Sequence, residues 1–431
     1  MPGKVPILDF HSDALGKVDP STSEPVRVVH VVTTAYTTEF MRGQLEYLNT
    51  QGYQVTVVTS PDARLEEIAK REGIQIRTVK MVREMRPLQD AWALFKLYFI
   101  LREIRPHVVN ASTPKAGLLG MLAACLLFVP LRIYTLRGLR LETTQNWRRL
   151  LLNVCERITA ICAHYVVCVS PSLQKAYLEL KLTRPNKTLV LGHGSSNGVD
   201  AAKFRRTPRS GVAAKKIRKQ FGISEDARVL GFVGRLTCDK GVGDALEVFG
   251  QLQKKFPDLN LFMVGGFEKG DAVSTHIRQC VLENPKIHLS GMIDVNDIAP
   301  YYQAIDLLLF PSLREGFPNA VLEAQASELP VVGYAATGTL DAIDSPHTGR
   351  VVAIGDRAGL EESVSMYLAD EEMRHQHGVA GRQRVEELFR PRIIWKALGE
   401  LYQSELRKFG LTQEKPLLGR KTHVDVNKAA A

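Results

Sequence analysis

The sequence predicts an α/β protein made of two similar doubly wound halves, each a parallel sheet with helices on both faces. Two observations support this prediction. Short runs that are nearly continuous in apolar residues alternate with segments of helical period, as expected for strands buried on both faces. The alternation occurs twice, over residues 26–198 and again over 225–389. A chain of 431 residues has room for two or three domains.

The first half, residues 26–198, contains six predicted strands and a long predicted helix. The strands lie at 27–32, 54–60, 107–110, 132–136, 165–170 and 188–191, and the helix covers 88–104. Residues 1–25 lack both a pattern that could fill a core and the unbroken apolar run of a signal peptide. We therefore expect a disordered leader there.

A basic stretch separates the two halves. Between Ala201 and Lys219 there are eight Lys or Arg residues and no acidic residue, which predicts a basic linker over 199–224 that leads into a helix. The second half repeats the alternation, with strands at 228–234, 260–266, 286–291, 306–312, 329–334 and 349–353. An amphipathic helix at 390–410, expected to pack back toward the first half, and a flexible tail at 411–431 follow.

Composition limits the compartment and the partners. The formal net charge of +10 favours anionic partners, but it does not choose among nucleic acid, a lipid surface and phosphorylated small molecules. The six cysteines are spread singly, as is usual for reduced thiols in a cytoplasmic protein. The longest apolar stretch, 118–129, is shorter than the about 20 residues that cross a bilayer. The sequence therefore predicts a soluble or peripheral protein.

The first candidate site is the loop 231–241, at the carboxyl end of a predicted strand. The strand ends at Gly234, and the cations Arg235 and Lys240 precede Gly241 at the start of a helix. Glycine permits close approach of the backbone to a ligand, and fixed positive charge suits a diphosphate. The residue order is not that of a P-loop. Ordinary surface salt bridges of the two cations are an equal alternative.

The second candidate site is the segment 312–328. Pro318 is expected in the first turn of a helix, whose free backbone amides at 317–320 would attract an anion. Glu315 in the loop and Glu323 along the helix are suited to accept hydrogen bonds from sugar or ribose hydroxyls. A solvated Glu323 is the alternative, which its apolar neighbours disfavour. A turn of small residues at 333–343 is a weaker signal that a backbone approaches the same crevice.

Together these loops resemble the retaining glycosyltransferases of family four, which have the GT-B architecture of two Rossmann-like domains facing across a cleft. The G-R-L-x-x-x-K-G element matches residues 234–241, and the E-x(7)-E element matches residues 315–323. The resemblance extends over about 26–405. The strings at 112–124, 132–143 and 195–200 are similar to those of the capsular and exopolysaccharide enzymes, whose acceptor is usually a sugar on a polyprenyl diphosphate.

The resemblance implies a role for individual residues. Arg235 and Lys240 would hold the diphosphate of the donor, Glu315 would bind hydroxyls of the transferred sugar, and Glu323 would hold the ribose. Arg235, Lys240 and Glu315 are the implied catalytic residues. The remaining implied donor-binding residues are Gly234, Gly291, Gly316, Phe317, Asn319 and Ala320. The family needs no metal or other cofactor, and the chain has no D-x-D triplet, the metal-binding signature of the other large glycosyltransferase fold.

The acceptor side departs from the family pattern. Where many relatives have a histidine after the strand at 132–136, this chain has Arg137, and the usual glycine pair near the N-terminus is replaced by Thr33 and the three residues after it. The expected acceptor-binding residues are Thr33, Lys115 and Arg137. Residues 83–149 hold eleven Lys or Arg against four Asp or Glu, interleaved with aromatics, which indicates peripheral contact with the inner membrane surface. The alternative is a core role for Phe95 and Phe99.

The implied function is retaining transfer of a hexose or N-acetylhexosamine from a nucleotide-sugar, expected to be UDP-linked, to a polyprenyl-diphosphate-linked saccharide. The reaction would take place in the cytoplasm, at the cytoplasmic face of the membrane. A sugar-nucleotide 2-epimerase of the same architecture is the nearest alternative. A nucleic-acid-binding protein is less expected, because no recognised module supports it and the cations of 203–219 are not interleaved with a series of stacking aromatic residues. A catalytically silent scaffold is disfavoured by the intact cations and acids of the two motifs.

Overall fold

The computed structural model describes residues 25–82, 84–268 and 270–411, which form two parallel-sheet domains. Most of the expected leader (1–25) and nearly all of the expected tail (411–431) lie outside the described residues. No helix in the described ranges is both long and apolar enough to cross a membrane. The apolar stretch at 118–129 instead lies largely within a helix at Pro114–Leu126 that covers the first sheet.

The N-terminal domain is built on a seven-stranded sheet in the order β3-β2-β1-β4-β5-β6-β7. Its strands are β1 (Arg27–Val31), β2 (Gln54–Thr59), β3 (Gln75–Thr78), β4 (Val108–Ser112), β5 (Leu131–Leu136), β6 (Tyr165–Cys168) and β7 (Thr188–Val190). Its helices are α1 (Gln44–Thr50), α2 (Leu65–Glu72), α3 (Pro87–Ile104), α4 (Pro114–Leu126), α5 (Asn146–Cys162) and α6 (Pro171–Glu179). The six predicted strands are confirmed. β3 was not predicted, because this edge strand is polar and largely exposed.

The C-terminal domain is built on a six-stranded sheet in the order β10-β9-β8-β11-β12-β13. Its strands are β8 (Val229–Val233), β9 (Asn260–Val264), β10 (Ile287–Leu289), β11 (Leu307–Phe310), β12 (Val331–Tyr334) and β13 (Gly349–Val352), all of them predicted. The remaining helices are α7 (Pro208–Gln220), α8 (Val242–Lys255), α9 (Thr275–Glu283), α10 (Ala299–Gln303), α11 (Asn319–Ala326), α12 (Thr339–Ala342), α13 (Arg357–Ala369), α14 (Glu371–Leu388) and α15 (Pro391–Arg407).

Burial on both faces explains the apolar strand sequences. Every residue of β8, β9, β11 and β12 is buried, and β4 is buried along its whole length. Neighbouring strands are parallel and in register, for example Val29 of β1 with Val109 of β4. In both sheets the order reverses beside the first strand, β1 or β8, so that the crevice for ligands lies at the carboxyl ends of these strands.

The basic helix α7 packs on the C-terminal domain, whereas the last helix, α15, returns to the N-terminal domain. The basic helix α7 begins with a capping box at Thr207 and packs on α10 of the C-terminal domain, where Arg218 pairs with Asp306 at 2.9 Å. The last helix, α15, packs on α1 and β5 of the N-terminal domain. The Tyr402 hydroxyl accepts a hydrogen bond of 2.7 Å from the Asn110 amide, which fixes α15 to β4.

Candidate functional site

Loops at the carboxyl edge of the C-terminal sheet meet above β8. The loop after β8 pairs with the loop after β9 through bridges from Leu236 to Phe267 and from Thr237 to Ala272. The loop after β11 joins them where the Leu313 amide donates to the Asp239 carbonyl at 2.9 Å. Segments that are far apart in the sequence therefore form one surface, as the parallel sheet predicts.

Lys240 and Glu315, one from each predicted motif, are in direct contact. The Lys240 ammonium forms an ion pair with the Glu315 carboxylate, and the Ser312 hydroxyl donates to the same carboxylate at 2.9 Å. Both charged side chains are largely buried, at 16% and 13% exposure. The pair places one cation and one hydrogen-bond acceptor side by side at the entrance to the crevice.

Arg235 lies nearby and is held by two acids that the sequence analysis did not single out. Its guanidinium is 2.6 Å from Glu268 and 3.9 Å from Asp239. Asp239 also pairs with Arg314 at 3.0 Å. The salt-bridge alternative is thus realised for both cations, but at the crevice and not on a remote surface. Glu268 stands just past the carboxyl end of β9, and this placement could have identified it from the sequence.

Helix α11 points its amino end into the same region. The helix begins at Asn319, so Pro318 caps it from outside and does not lie in its first turn as predicted. The Oδ1 atom of Asn319 is buried without a hydrogen-bond partner. Phe317 is buried against Phe389 with ring centroids 5.2 Å apart, which fixes the start of the helix, and Ala320 lies in its first turn. The free amides at this end provide partial positive charge for an anion.

Glu323 is partly buried on α11, as its apolar neighbours indicated. The Tyr302 hydroxyl, from α10, donates to its carboxylate at 2.8 Å. Burial raises the pKa of Glu323 to about 7, against the opposing effects of the Tyr302 hydrogen bond and the Lys203 charge. Tyr302 was not predicted, since nothing in the sequence joins α10 to α11. Glu323 is therefore an acceptor whose charge changes near neutral pH.

Glycines shape the approach to this surface. A side-chain carbon built on Gly234 or on Gly291 would meet no atom within 4 Å, so both backbones face open space. A carbon on Gly316 would instead lie 2.0 Å from the carbonyl oxygen of Arg137, in the other domain. The loop that carries Glu315 and Gly316 thus touches the N-terminal domain directly, and only glycine fits at the contact.

The predicted acceptor residues occupy two places. The Thr33 hydroxyl is 2.6 Å from that of Thr113, just before α4, and Lys115 at the start of α4 pairs with Asp90 at 2.6 Å. Arg137 lies at the contact between the domains. Its Nη1 donates to the Phe40 carbonyl at 3.4 Å, and its Nε is buried without a partner. Burial lowers the pKa of Arg137 to about 10. Lys115 is therefore already neutralised, whereas Arg137 carries a cation into the interdomain region.

Comparison with known proteins decides the family. Residues 213–384 match the model of the glycosyl transferases group 1, and residues 37–194 match that of a glycosyl transferase 4-like domain. The chain is 32% identical over 382 residues to the capsular polysaccharide biosynthesis glycosyltransferase CapM of Staphylococcus aureus, covering 89% of this chain and 98% of CapM. The chain belongs to the group 1 glycosyltransferases.

This glycosyltransferase is also similar to a second enzyme in sequence and to a solved structure in fold. It is 24% identical to an Escherichia coli enzyme named UDP-Gal:alpha-D-GlcNAc-diphosphoundecaprenol alpha-1,3-galactosyltransferase, over 78% of this chain and 86% of that enzyme. The crystal structure of Anabaena HepE in complex with UDP-glucose superposes with a TM-score of 0.73 at 18% identity, over 88% of this chain and 99% of HepE. The glycosyltransferase therefore has the GT-B fold that the resemblance implied, with two Rossmann-like domains.

Proposed function

We propose that this glycosyltransferase moves a hexose or N-acetylhexosamine from a UDP-linked donor to a saccharide on a polyprenyl diphosphate, with retention of anomeric configuration and without a metal ion. The observation that carries this proposal is the convergence of Arg235, Lys240, Glu315 and the amino end of α11 on one edge of the C-terminal sheet. Two cations and a helix amino end suit a diphosphate, and the neighbouring carboxylates suit hydroxyl groups.

The donor would bind in an extended arrangement along this edge. Arg235, Lys240 and the backbone amides of Phe317, Asn319 and Ala320 would hold the diphosphate. Glu315 would accept hydrogen bonds from the sugar, and Glu323 from the ribose. The open backbones at Gly234 and Gly291, and the tight turn at Gly316, would let the ligand approach closely.

During transfer, the bond between the anomeric carbon and the diphosphate oxygen breaks, and negative charge grows on the departing nucleoside diphosphate. Arg235, Lys240 and the helix amides stabilise that charge most in the transition state, where stabilisation raises the rate. The acceptor oxygen forms its bond to the same face of the sugar and gives its proton to a leaving phosphate oxygen. No dedicated base is required, and the two cations supply the positive charge that a metal ion would supply elsewhere.

Two comparisons support the identities of donor and acceptor. HepE has been crystallised with UDP-glucose, and the name of the Escherichia coli relative gives a UDP-sugar donor and an undecaprenyl-diphosphate-linked acceptor. On the acceptor side, Arg137 is the residue best suited to meet the acceptor's diphosphate, because no carboxylate neutralises it among the contacts of the described residues. Thr33, which follows β1, and Lys115, in the first turn of α4, would contribute to the same acceptor site. With a lipid-linked acceptor the reaction would take place at the membrane, and we propose its cytoplasmic face.

The donor assignment is tested by measuring thermal unfolding with UDP, GDP and ADP. At a concentration of about 100 times its dissociation constant, the bound nucleotide should add about 2.7 kcal/mol of stability. We expect UDP to stabilise the protein and the other two to have little effect. Stabilisation by GDP or ADP alone would overturn the UDP assignment. Incubation with UDP-N-acetylglucosamine and no acceptor should give no epimerised sugar, and transfer should persist in EDTA.

A further inference from the structure

One face of the N-terminal domain is formed by three adjacent helices, with α4 packed between α3 and α5. In helix α5 the usual arrangement of a surface helix, with apolar residues buried and polar residues exposed, is reversed. Its buried side carries Glu156 and Thr159 together with two small residues. Its exposed side carries the large apolar residues, namely Trp147, Leu150, Leu151, Val154, Ile158 and Ile161. Three of these are two-thirds or more exposed, at 66% for Trp147, 70% for Leu150 and 74% for Ile161.

Helix α3 also exposes large apolar side chains. Leu88, Trp92, Phe95 and Phe99 recur at helical spacing and are all exposed, so the core role considered for the two phenylalanines is wrong. The rings of Trp92 and Phe95 are stacked at 5.4 Å, and those of Phe95 and Phe99 meet at 4.7 Å. We call the exposed apolar residues of α3 and α5 together the apolar face. Scattered exposed apolar residues are normal, but two full helix stripes on one side of a domain indicate a binding surface.

The charges around the apolar face are almost all positive. Lys96, Arg102, Arg148, Arg149 and Arg157 are exposed on the same two helices. Of the three acids on these helices, only Glu103 is exposed, at 70%. Glu156 is buried, Asp90 pairs with Lys115, and Glu103 is 3.7 Å from Arg77.

Two of the cations extend over aromatic rings of the apolar face. Lys96 lies 5.5 Å from the ring of Trp92, and Arg148 lies 5.7 Å from that of Trp147. Tryptophan with an adjacent cation is the combination found at the boundary between lipid headgroups and acyl chains. A second copy of this chain would instead bring like charges together, which disfavours a dimer through this face.

We infer that the apolar face docks on a bilayer that contains anionic lipid, with the apolar stripes entering the headgroup boundary and the cations contacting lipid phosphates. Because α3 and α5 both begin at the carboxyl edge of the sheet, the amino-terminal ends of both stripes lie on the side of the interdomain crevice. This inference deepens the proposed function, since a lipid-linked acceptor would enter the crevice from that side.

The test is flotation of the full chain with vesicles of equal parts phosphatidylglycerol and phosphatidylcholine, without any acceptor. We expect binding to these vesicles and much weaker binding to phosphatidylcholine alone. Trp147→Glu combined with Leu150→Glu should abolish flotation. The control, Val212→Glu combined with Leu282→Glu, changes two equally exposed apolar residues on α7 and α9 and should leave flotation intact.

The electrostatic part is tested by Arg148→Gln combined with Arg149→Gln. Each cation near an anionic surface contributes about 1 kcal/mol, so this pair should weaken vesicle binding about 30-fold, which is ~2 kcal/mol at about 1.4 kcal/mol per tenfold. Lys216→Gln combined with Lys219→Gln, on the basic helix α7, removes the same charge elsewhere and should have little effect.

Stabilisation by UDP, measured on each variant, shows whether the fold and the donor site remain intact. Failure of the vesicle experiment with UDP binding intact would therefore overturn the docking surface and leave the donor site standing. Equal flotation with and without phosphatidylglycerol contradicts the inference. Flotation that is unchanged by Trp147→Glu combined with Leu150→Glu also contradicts it. A dimer in light scattering that the same variant dissociates would show that a second copy covers the face.

Discussion

Nucleotide-sugar binding should tighten about tenfold between pH 6 and pH 8, because Glu323 changes its charge in this range. Burial raises the pKa of its carboxyl group to about 7. At pH 6 about nine-tenths of the molecules then carry a protonated Glu323, and at pH 8 about one-tenth do. If the ionised form is the one that accepts the ribose hydroxyl, the apparent dissociation constant follows that ratio.

The assay is titration calorimetry with UDP-glucose at pH 6, 7 and 8. A nucleotide-sugar is preferred to UDP because both of its phosphates are esterified and keep one charge each over this range. Glu323→Gln should bind more weakly at pH 8 and show no pH dependence. Tyr302→Phe removes the hydrogen bond that favours the carboxylate, so the midpoint of the pH dependence should move upward.

Equal affinity of the wild type at pH 6 and pH 8 would refute this reasoning. So would a pH dependence that persists in Glu323→Gln, since the titrating group would then lie elsewhere.

Three other predictions concern stability, the donor site and the domain contact. Burial raises the pKa of Glu156 to about 7, so its contribution to the free energy of unfolding is complete below its ordinary pKa and is lost as the pH rises through 7. Glu156→Gln should therefore raise the free energy of unfolding, measured by urea denaturation, by about 3 kcal/mol at pH 8 and by less than about 1 kcal/mol at pH 5. Glu268→Gln frees Arg235 from its counter-ion and should tighten UDP binding a few-fold in calorimetry; weaker binding would mean that Glu268 supports the ligand. Gly316→Ala places a carbon 2.0 Å from a carbonyl oxygen of the other domain and should lower kcat/KM at least tenfold, whereas Gly250→Ala, which meets no atom within 4 Å, should retain full activity.

Much of the fold could be predicted because strands buried on both faces must be apolar throughout. The strand β3 was not predicted for the same reason, because an edge strand with a largely exposed surface needs no apolar run. The two motifs could be placed at one crevice because parallel strands end at a common edge. Their spacing did not reveal that Lys240 is already paired with Glu315, or Arg235 with Glu268, because ion pairs between loops depend on the final positions of the side chains.

The helix α5 illustrates a different limit. A periodic apolar stripe predicts that one side of a helix faces a core. In α5 that stripe faces outward, and the buried side carries Glu156, held by the hydroxyls of Tyr134 and Tyr177 at 3.3 Å. Periodicity alone gives the direction of the stripe around the helix axis but not what covers it. The contact of Gly316 with the opposite domain was likewise hidden, because it depends on how the two domains meet.

The most direct test compares kcat/KM for sugar transfer in the wild type, in Arg235→Ala and in Lys240→Ala, with the exposed Lys216→Ala as control. If these cations stabilise the departing diphosphate, each site variant should lose roughly 10²–10³-fold, about 3–4 kcal/mol, at a temperature where circular dichroism shows the variant to be folded. The control should transfer sugar at the wild-type rate. Near-normal transfer by Arg235→Ala and Lys240→Ala would contradict the role assigned to this edge of the C-terminal sheet.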